Sequence, residues 1–345
     1  MPLYEILSSR EARRVFILGM AKNAGKTFTL NHLVEEGAAR GDRLGLTSTG
    51  RDGEPLDLVT GKAKPRIFCP KGTIVATARL ALGAATARLR DEEPTGIETV
   101  LGEVIVAEVE REGLVELAGP LFAAELGALL DRMEARGARR ILVDGSLDRK
   151  AAGRVVRQVV LAVGAVLGRK LEDVVDRAVT FTQQLTIPAP PPWVGGLLEG
   201  TSGAGALLFE EEARGLPFST LMGSGRELAA LLREQRPWGL FVGGALGDET
   251  FRSLLEQDPP PRLVVRAPTS LFVDSADWGR FTRRGGLCYA VEPTELLAAT
   301  VNPYSPEGWE FPAAEFLQAI GEALAPLPTF NLALRHKHET QGEAR

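Results

Sequence analysis

Short apolar runs and amphipathic stretches alternate along most of this chain. The run Val15–Met20 is bounded by arginines and by a polar loop, which is typical of a buried strand. The stretch Thr27–Arg40 places apolar residues at helical spacing and ends at Gly41. Arg43–Thr47 predicts the next strand, and a polar, glycine-rich loop, Ser48–Pro55, comes after it. The pattern predicts a strand, a helix and a second strand in succession.

The segment Ile97–Leu117 departs from this order. After the β-rich run Val104–Val106, Ala107 and Val109 alternate with Glu108 and Glu110. Glu112 and Gly113 are typical of a turn, and Leu114, Val115 and Leu117 could form the return strand. This pattern predicts an antiparallel hairpin at an edge of the sheet.

Strands and helices alternate again after the hairpin. The predicted elements are helix Leu121–Arg136, strand Ile141–Asp144, Val155–Val166 as a strand or an apolar helix, helix Leu171–Leu185, strand Gly239–Gly243, helix Asp248–Glu256, strand Arg262–Arg266, helix Ser275–Thr282, strands Leu287–Val291 and Leu296–Val301, and helix Ala313–Leu324. Their order predicts an α/β protein with a mostly parallel, doubly wound sheet that is covered on both faces.

The proline-rich stretch Pro188–Pro192 is the best candidate for a domain boundary. It predicts a first α/β domain at residues 1–187. Residues 193–334 are then either a C-terminal, Rossmann-like α/β domain or an extension of the same sheet. The polar end of the chain, residues 335–345, predicts a flexible tail.

Composition narrows the classes of function. The chain has 345 residues and a formal net charge of −5, and a general nucleic-acid binder would normally be basic. Two cysteines and three histidines give neither a disulfide framework nor a recognisable Cys/His metal site. The N-terminus lacks the apolar core of a signal peptide, and the longest apolar run, Val159–Leu167, is about half a bilayer-spanning length. We therefore expect a reduced, soluble, cytoplasmic protein that binds neither nucleic acid nor a membrane.

The segment VFILGMAKNAGKTFTLNHL predicts a strand, a loop and a helix in the order that phosphate binding requires. Backbone N–H groups at a helix N-terminus converge on an anion, and small residues let the anion approach. In this pattern Gly25 allows the approach, Lys26 reaches the outer phosphates and the Thr27 hydroxyl binds magnesium. The predicted nucleotide-binding residues are Lys22, Asn23, Ala24, Gly25, Lys26, Thr27 and Phe28.

The first glycine of the loop is out of place. The standard spacing puts it at position 20, where this chain has Met20, and Gly19 stands one residue early. In this respect the loop resembles that of dethiobiotin synthetase. Lys22 is similar to the extra lysine of the ParA and nitrogenase-iron-protein loops, but it is one residue out of register, so we do not assign it that role.

Carboxylates are the second requirement of such a site. Asp144 ends an apolar strand, and we predict that it holds magnesium together with Thr27. Asp52, with Glu54 behind it, is the candidate for orienting the attacking water, although an exposed turn explains these two residues equally well. Asn302 ends a later strand, where a strand-terminating turn is favoured over contact with a base.

Five segments spread along the chain carry a further resemblance. They are GMAKNAGKT, TSTGRDGE, FCPKGTIVATA, DGSLDRKAA and TVNPYSPEGWEF. Together they resemble the P-loop subunit of the lysine 5,6-aminomutase reactivase, from about Val15 to Leu332. The specific weight of the resemblance rests on DGSLDRK and TVNPYSPEG.

This resemblance implies an ATP-driven chaperone. An adenosylcobalamin-dependent aminomutase is inactivated when its cofactor radical is lost and the damaged cobalamin stays bound. The reactivase would use ATP to release the damaged cofactor and admit a new one. The implied partners are the aminomutase and a second, MutS-like reactivase subunit.

The residues leave three functions open. The first is a magnesium-dependent ATPase that is coupled to a partner protein, with Lys26, Asp52 and Glu54 as its catalytic residues and ATP, ADP and Mg²⁺ as its ligands. ATP is favoured because the guanine motif Asn-Lys-x-Asp is absent from the sequence. The second is a small-acid ligase or kinase resembling dethiobiotin synthetase, in which Lys64 and Lys71 would face the γ-phosphate. The third is a nucleotide sensor without hydrolysis.

Overall fold

The computed structural model describes residues 2–49, 66–146, 155–199, 201 and 203–332. Its helices and strands, in chain order, are α1 (Leu3–Ser9), β1 (Arg14–Gly19), α2 (Lys26–Ala39), β2 (Leu44–Ser48), β3 (Ile67–Cys69), β4 (Ile74–Ala78), β5 (Arg88–Thr99), β6 (Gly102–Arg111), β7 (Gly113–Val115), α3 (Ala123–Ala135), β8 (Arg140–Ser146), β9 (Gln158–Gly164), α4 (Leu171–Leu185), α5 (Pro192–Leu197), β10 (Gly205–Leu208), β11 (Ala213–Gly215), α6 (Gly225–Gln235), β12 (Gly239–Val242), β13 (Leu246–Gly247), α7 (Asp248–Leu255), β14 (Leu263–Val265), β15 (Leu271–Phe272), α8 (Ser275–Arg283), β16 (Cys288–Ala290), β17 (Glu295–Asn302), α9 (Ala313–Ala323) and β18 (Thr329–Asn331).

The chain forms two compact units. The first comprises Met1–Val175 and Leu296–Arg345, and the second comprises Asp176–Glu295. The structure therefore differs from the predicted division into residues 1–187 and 193–334. The second unit is an insertion, which the chain enters within α4 and leaves at β17. The first boundary lies within a continuous helix and the second at the start of a strand. Neither boundary is therefore marked by a loop-like composition in the sequence.

The proline-rich stretch Pro188–Pro192 lies inside the second unit, where Ala290 donates a backbone hydrogen bond to the Pro188 carbonyl at 2.9 Å. The predicted C-terminal part also includes the strand Leu296–Val301 and the helix after it. In the structure both belong to the first unit. The predicted tail, residues 335–345, lies outside the described part of the chain.

The first unit is built on a nine-stranded sheet with the order β18-β17-β9-β1-β8-β2-β4-β6-β5. The five strands β9, β1, β8, β2 and β4 pair in parallel with their neighbours in this series. Their C-terminal ends therefore lie along one edge of the sheet, which we call the C-terminal edge. The large, mostly parallel sheet confirms the α/β class.

The antiparallel hairpin lies at one edge of this sheet, as predicted, but only one of its predicted strands, β6, forms it. β5 and β6 pair with Thr99 opposite Gly102, so the turn falls between these two residues and not at Glu112 and Gly113. The predicted return strand is β7, which pairs instead with β3 in a separate two-stranded sheet. β5 is rich in charged residues and contains Pro94, and an edge strand tolerates both features. Because of them the sequence pattern did not predict this strand.

Helices α1 and α2 pack with β1 in one buried cluster. Leu30, Leu33 and Val34 of α2 share this cluster with Val15 and Ile17 of β1. These are the apolar positions of the helical and strand patterns in the sequence, so their burial positions the start of α2 against the end of β1.

A glycine in the last turn of α2, Gly37, makes room for a tyrosine of α1. The Tyr4 ring is fully buried against Gly37. A Cβ added at Gly37 would lie only 2.7 Å from the Cε2 atom of this ring. The Tyr4 hydroxyl donates to the Asp42 carboxylate at 2.6 Å, and the Arg140 guanidinium lies 4.4 Å from the ring centroid. These contacts fix α1 on α2.

The second unit has a five-stranded sheet with the order β11-β10-β12-β14-β16. β12, β14 and β16 are parallel, whereas β10 and β11 pair antiparallel at one edge. Helices α6, α7 and α8 contribute Leu228, Phe251, Trp278 and Phe281 to a buried cluster with the parallel strands. This unit is therefore also α/β.

The longest helix in the described part of the chain, α4, has 15 residues. None of the helices described combines the length and the apolar character that crossing a bilayer requires.

Candidate functional site

The loop between β1 and α2 contains two residues with a left-handed backbone and leads directly into a helix. Asn23 and Gly25 both have positive φ, 65° and 105°, and Gly25 is the N-cap of α2. Among the described residues no side chain caps this helix, and its first turn contains no acidic residue. The helix start therefore presents its backbone N–H groups and the positive end of its dipole without competition from a carboxylate.

Two close contacts hold this loop against neighbouring strand ends. A Cβ on Gly25 would lie 2.9 Å from the Cβ of Asn302, at the end of β17. A Cβ on Gly164, at the end of β9, would lie 2.6 Å from the Cα of Ala24. Both glycines are needed for the close approach, and Gly25 is needed for its backbone conformation as well.

Lys26 lies across the end of β1. A Cβ on Gly19 would be 2.6 Å from the Lys26 Cγ atom and 2.8 Å from its Cδ atom. Position 19 therefore has to be glycine for the lysine side chain to lie here. This contact gives a physical reason for the glycine that stands one residue early in the sequence pattern.

Asp144 lies at the C-terminal edge, on the strand next to β1. Its neighbours across β8 are Ile17 of β1 and Ser48 of β2. The residue is half-buried, but its Oδ1 atom is fully buried and has no hydrogen-bond partner among the residues that the structure describes. Burial raises the pKa of this carboxyl above its usual range, and the positive charge of Lys26 opposes the shift.

A buried carboxylate oxygen without a partner is costly, and a bound cation is one way to compensate it. Carboxylate and hydroxyl oxygens are also the ligands that Mg²⁺ prefers. Asp144 therefore fits a magnesium ligand. Thr27, the second residue of α2, is partly exposed at the start of that helix, where its hydroxyl can contribute a second oxygen.

The other predicted residues divide into three groups. Lys22 and Asn23 are exposed in the loop, and Phe28 is 37% exposed on the first turn of α2. Asp52, Glu54 and Lys64 lie outside the described residues, so the roles predicted for them stay predictions. Lys71 is described, and its position does not suit the role considered for it.

Lys71 lies at the opposite edge of the sheet from the loop. It precedes the N-terminal end of β4, and Gly72, beside it, donates a backbone hydrogen bond to the Val109 carbonyl at 2.8 Å. Because β4 runs in the direction of β1, its five residues separate Lys71 from the C-terminal edge by about 16 Å. If a γ-phosphate lies at the C-terminal edge, Lys71 is therefore too far away to face it.

Asn302 contacts the loop directly. Its side-chain nitrogen donates to the Asn23 carbonyl at 3.3 Å, and its side-chain oxygen accepts from the Tyr304 backbone N–H at 3.3 Å. The second bond is the strand-terminating turn that the sequence favoured. The first bond was missed, because nothing in the sequence pairs positions so far apart.

Residues 303–311 continue from Asn302 and are tied to the turn after β9. The Trp309 indole N–H donates to the carbonyls of Ala165 and Gly168, at 3.1 and 3.2 Å. The Arg169 guanidinium lies 4.8 Å from the centroid of the Trp309 ring. The segments GMAKNAGKT and TVNPYSPEGWEF, which are far apart in the sequence, therefore meet at one place.

A cavity of about 240 Å³ opens beside the loop on the side of β17. Its lining is mostly apolar and includes Phe28, Thr29, Thr300, Asn302, Tyr304 and Leu332. The hydroxyls of Thr29 and Thr300 are hydrogen-bonded to each other at 2.7 Å, and the Thr29 hydroxyl also lies 3.2 Å from the Gly25 carbonyl. Thr300, Tyr304 and Leu332 were not predicted as site residues. Thr300 and Tyr304 belong to the segment TVNPYSPEGWEF, but the resemblance gave neither of them a role, and no motif marks Leu332.

Three carboxylates of the second unit also lie close together. Asp248, Asp274 and Asp277 have oxygens within 4.8 Å of one another. Arg252 binds the carboxylates of Asp277 and Asp274, at 2.6 and 2.8 Å, and Arg280 binds Asp277 as well. The Asp248 carboxylate accepts a hydrogen bond from the Asp274 backbone N–H at 2.9 Å. These ion pairs and this hydrogen bond explain the cluster without a metal.

Comparisons with models of protein families, with curated proteins and with solved structures found no match. The functional assignment therefore depends on the geometry of this chain's own residues.

Proposed function

We propose that this chain is a magnesium-dependent nucleoside triphosphatase with a P-loop, and that its nucleotide is ATP. One observation carries the proposal. Three features lie at one edge of the sheet. They are the start of α2, which no described side chain caps and which follows the left-handed Gly25, the Lys26 side chain across Gly19, and the Asp144 oxygen that has no hydrogen-bond partner among the described residues. An anion site, a cation site and a lysine are the parts that triphosphate binding needs.

The roles follow from the chemistry of each group. The N–H groups at the start of α2 would bind the phosphate oxygens, and Lys26 would neutralise charge on the outer phosphates. Thr27 and Asp144 would hold Mg²⁺, which supplies positive charge against the phosphates when bound. Asp52 and Glu54 remain the candidates for orienting water.

The proposal extends to a protein partner through the resemblance to the aminomutase reactivase. The partners would be a cobalamin-dependent aminomutase and a MutS-like subunit, and ATP would drive release of damaged cobalamin. Support comes from the meeting of the two motifs on which that resemblance partly rests, and from the second unit of Asp176–Glu295, which exceeds what a small-acid kinase needs.

The test is ATP hydrolysis by the purified chain with and without magnesium, in wild type, Lys26→Ala and Lys71→Ala. Lys71 is the matched control because it is an exposed lysine at the opposite edge of the sheet. We expect slow, magnesium-dependent hydrolysis that Lys26→Ala abolishes and Lys71→Ala leaves intact.

Two results would contradict the proposal. ATP that binds but is recovered intact would exclude hydrolysis by this chain alone and favour a sensor. Unchanged ATP binding in Lys26→Ala would remove the loop from the site altogether.

A further inference from the structure

The cavity beside the loop supports an inference that rests on the proposed nucleotide binding and goes beyond it. We propose that this cavity is the subsite for the nucleotide base, and that it holds the base by apolar and aromatic packing without reading its hydrogen-bonding edge. The chain would therefore discriminate only weakly between purine nucleotides.

The position of the cavity fits one end of a nucleotide. In the sheet, β8 and β17 lie on opposite sides of β1, with β9 between β1 and β17. Asp144 is on β8, whereas the cavity is lined by Thr300 and Asn302 of β17. A triphosphate on the start of α2 would thus have its metal-binding end toward β8 and its base toward β17.

The same helix start joins the two ends. Gly25, the N-cap of α2, and Phe28 and Thr29, on its first turn, all line the cavity. A ligand with phosphates on the N–H groups of this turn would have its attached base within reach of the cavity. No movement of the strands is needed to bring phosphate and base sites together.

Most of the polar groups at the cavity are already used within the protein. The Thr29 and Thr300 hydroxyls bind each other, and the Asn302 amide lies between the Asn23 carbonyl and the Tyr304 N–H. None of the described residues that line the cavity is charged. The lining therefore offers no carboxylate to the ring N–H and amino groups of guanine.

Two aromatic rings supply the surface that a flat base needs. Phe28 and Tyr304 line the cavity and are 37% and 39% exposed. Aromatic rings stack on any base, because every base has a π-face, and this contact contributes affinity without selecting a particular base. An apolar subsite discriminates weakly between ligands of similar shape. A subsite that hydrogen-bonds its ligand discriminates strongly against an analogue that lacks the matching group.

The expected preference is for ATP over GTP by no more than about tenfold, since guanine has to leave additional polar groups unpaired in the cavity. This differs from a base-specific site, for which a factor of about 10⁴ is expected. The size of the preference is therefore the diagnostic quantity.

The experiment is calorimetric titration in magnesium buffer with three probes: ATP, GTP and inorganic tripolyphosphate. The variants are Tyr304→Ala, with Tyr304→Phe as the matched control that keeps the ring, and Met222→Ala as a control for an exposed apolar side chain of the second unit, 82% exposed. Phe28→Ala serves as a second test of the cavity if Tyr304→Ala does not fold.

We expect wild type to bind ATP more tightly than tripolyphosphate and GTP within about tenfold of ATP. Tyr304→Ala should reduce the advantage of ATP over tripolyphosphate by about tenfold and leave tripolyphosphate affinity unchanged. Met222→Ala should match wild type, and Tyr304→Phe should keep the advantage of ATP over tripolyphosphate because it keeps the ring that stacks on the base.

Three outcomes would overturn the inference. An ATP advantage that survives both Tyr304→Ala and Phe28→Ala would place the base elsewhere. Discrimination between ATP and GTP of more than about a thousandfold would show that the base edge is read. Failure of both ATP and tripolyphosphate to bind wild type would instead overturn the proposed function, and this inference with it.

Discussion

The side chain of Asn302 donates a hydrogen bond to the carbonyl of Asn23, 279 positions earlier in the chain, at 3.3 Å. The acceptor residue has a left-handed backbone, with φ of 65°. The bond therefore stabilises an unusual conformation two residues before the N-cap of α2. Through this bond Asn302 positions the loop that precedes α2.

This positioning role predicts the effect of Asn302→Ala. Because the loop loses a constraint, we expect ATP and tripolyphosphate affinities to fall by the same factor, about five- to tenfold, the equivalent of one hydrogen bond. Calorimetry with both probes measures the two factors. A loss confined to ATP would show that Asn302 contacts the base.

Gly25→Ala is expected to disturb both conformation and packing. The φ of 105° disfavours any Cβ, and the new methyl group would lie 2.9 Å from the Asn302 Cβ. We expect a loss of about 2–3 kcal/mol in the free energy of unfolding and loss of ATP binding. Urea unfolding and calorimetry measure these two effects.

Gly41→Ala is the control for backbone strain alone. Gly41 also has positive φ, 71°, but a Cβ there would meet nothing within 4 Å. We expect it to cost about 1 kcal/mol in stability without affecting ATP binding. Equal effects of the two alanine substitutions on ATP affinity would contradict the proposed contact between the loop and β17.

Asp144→Asn should make the protein without ligand more stable and less responsive to magnesium. Burial raises the pKa of Asp144 from its ordinary value of 3.8, so the folded state favours the protonated form. Wild-type stability should therefore decrease as the pH rises from 3.8 through the raised value, while the amide variant avoids this loss.

We expect the variant to be more stable by about 1 kcal/mol at neutral pH and to lose this advantage in acid. Urea unfolding at several pH values, without nucleotide or magnesium, measures the difference. If the free energies of unfolding of the two proteins differ by the same amount at every pH, ionisation of the Asp144 carboxyl does not destabilise the folded state. A magnesium titration identical to wild type would remove Asp144 from the metal site.

Gly37→Ala tests the packing of α1 on α2. A glycine inside a helix normally costs stability relative to alanine, but here the methyl group would clash with the buried Tyr4 ring, 2.7 Å away. We expect a destabilisation of about 1–3 kcal/mol.

Gly127→Ala, in α3, is the matched control for this substitution. Its Cβ would make an ordinary 3.5 Å contact with a Val155 methyl group, so we expect it to stabilise the protein by about 0.5–1 kcal/mol. Thermal or urea unfolding of both variants provides the comparison. Stabilisation by both substitutions would refute the Tyr4 contact.

Local patterns in the sequence predicted the elements with strong periodicity or buried runs. The helix Leu171–Leu185 matches its predicted bounds, and the loop helix differs from its prediction by one residue at each end. The helix Leu171–Leu185 separates apolar and polar residues clearly onto two faces. This separation is weaker in α2, whose start is marked instead by the glycine, lysine and threonine of the loop motif. These signals lie within a few residues of one another.

Contacts between distant segments could not be predicted in this way. β5 is polar and contains proline, because its outer edge faces solvent and its stability comes from pairing with β6. The assignment of β17 to the first sheet, and of Asn302 and Tyr304 to the site, depends on how the chain returns after the second unit. No periodicity or motif encodes that return.

The insertion of the second unit also sets an order of events during synthesis. The loop at Gly19–Thr27 leaves the ribosome early, but its contact with Asn302 cannot form until the whole of Asp176–Glu295 has been translated. Nascent chains that stop before β17 would carry the loop motif without its supporting strand. If the chain binds a nucleotide as proposed, tight binding would be acquired late and would distinguish finished molecules from incomplete ones.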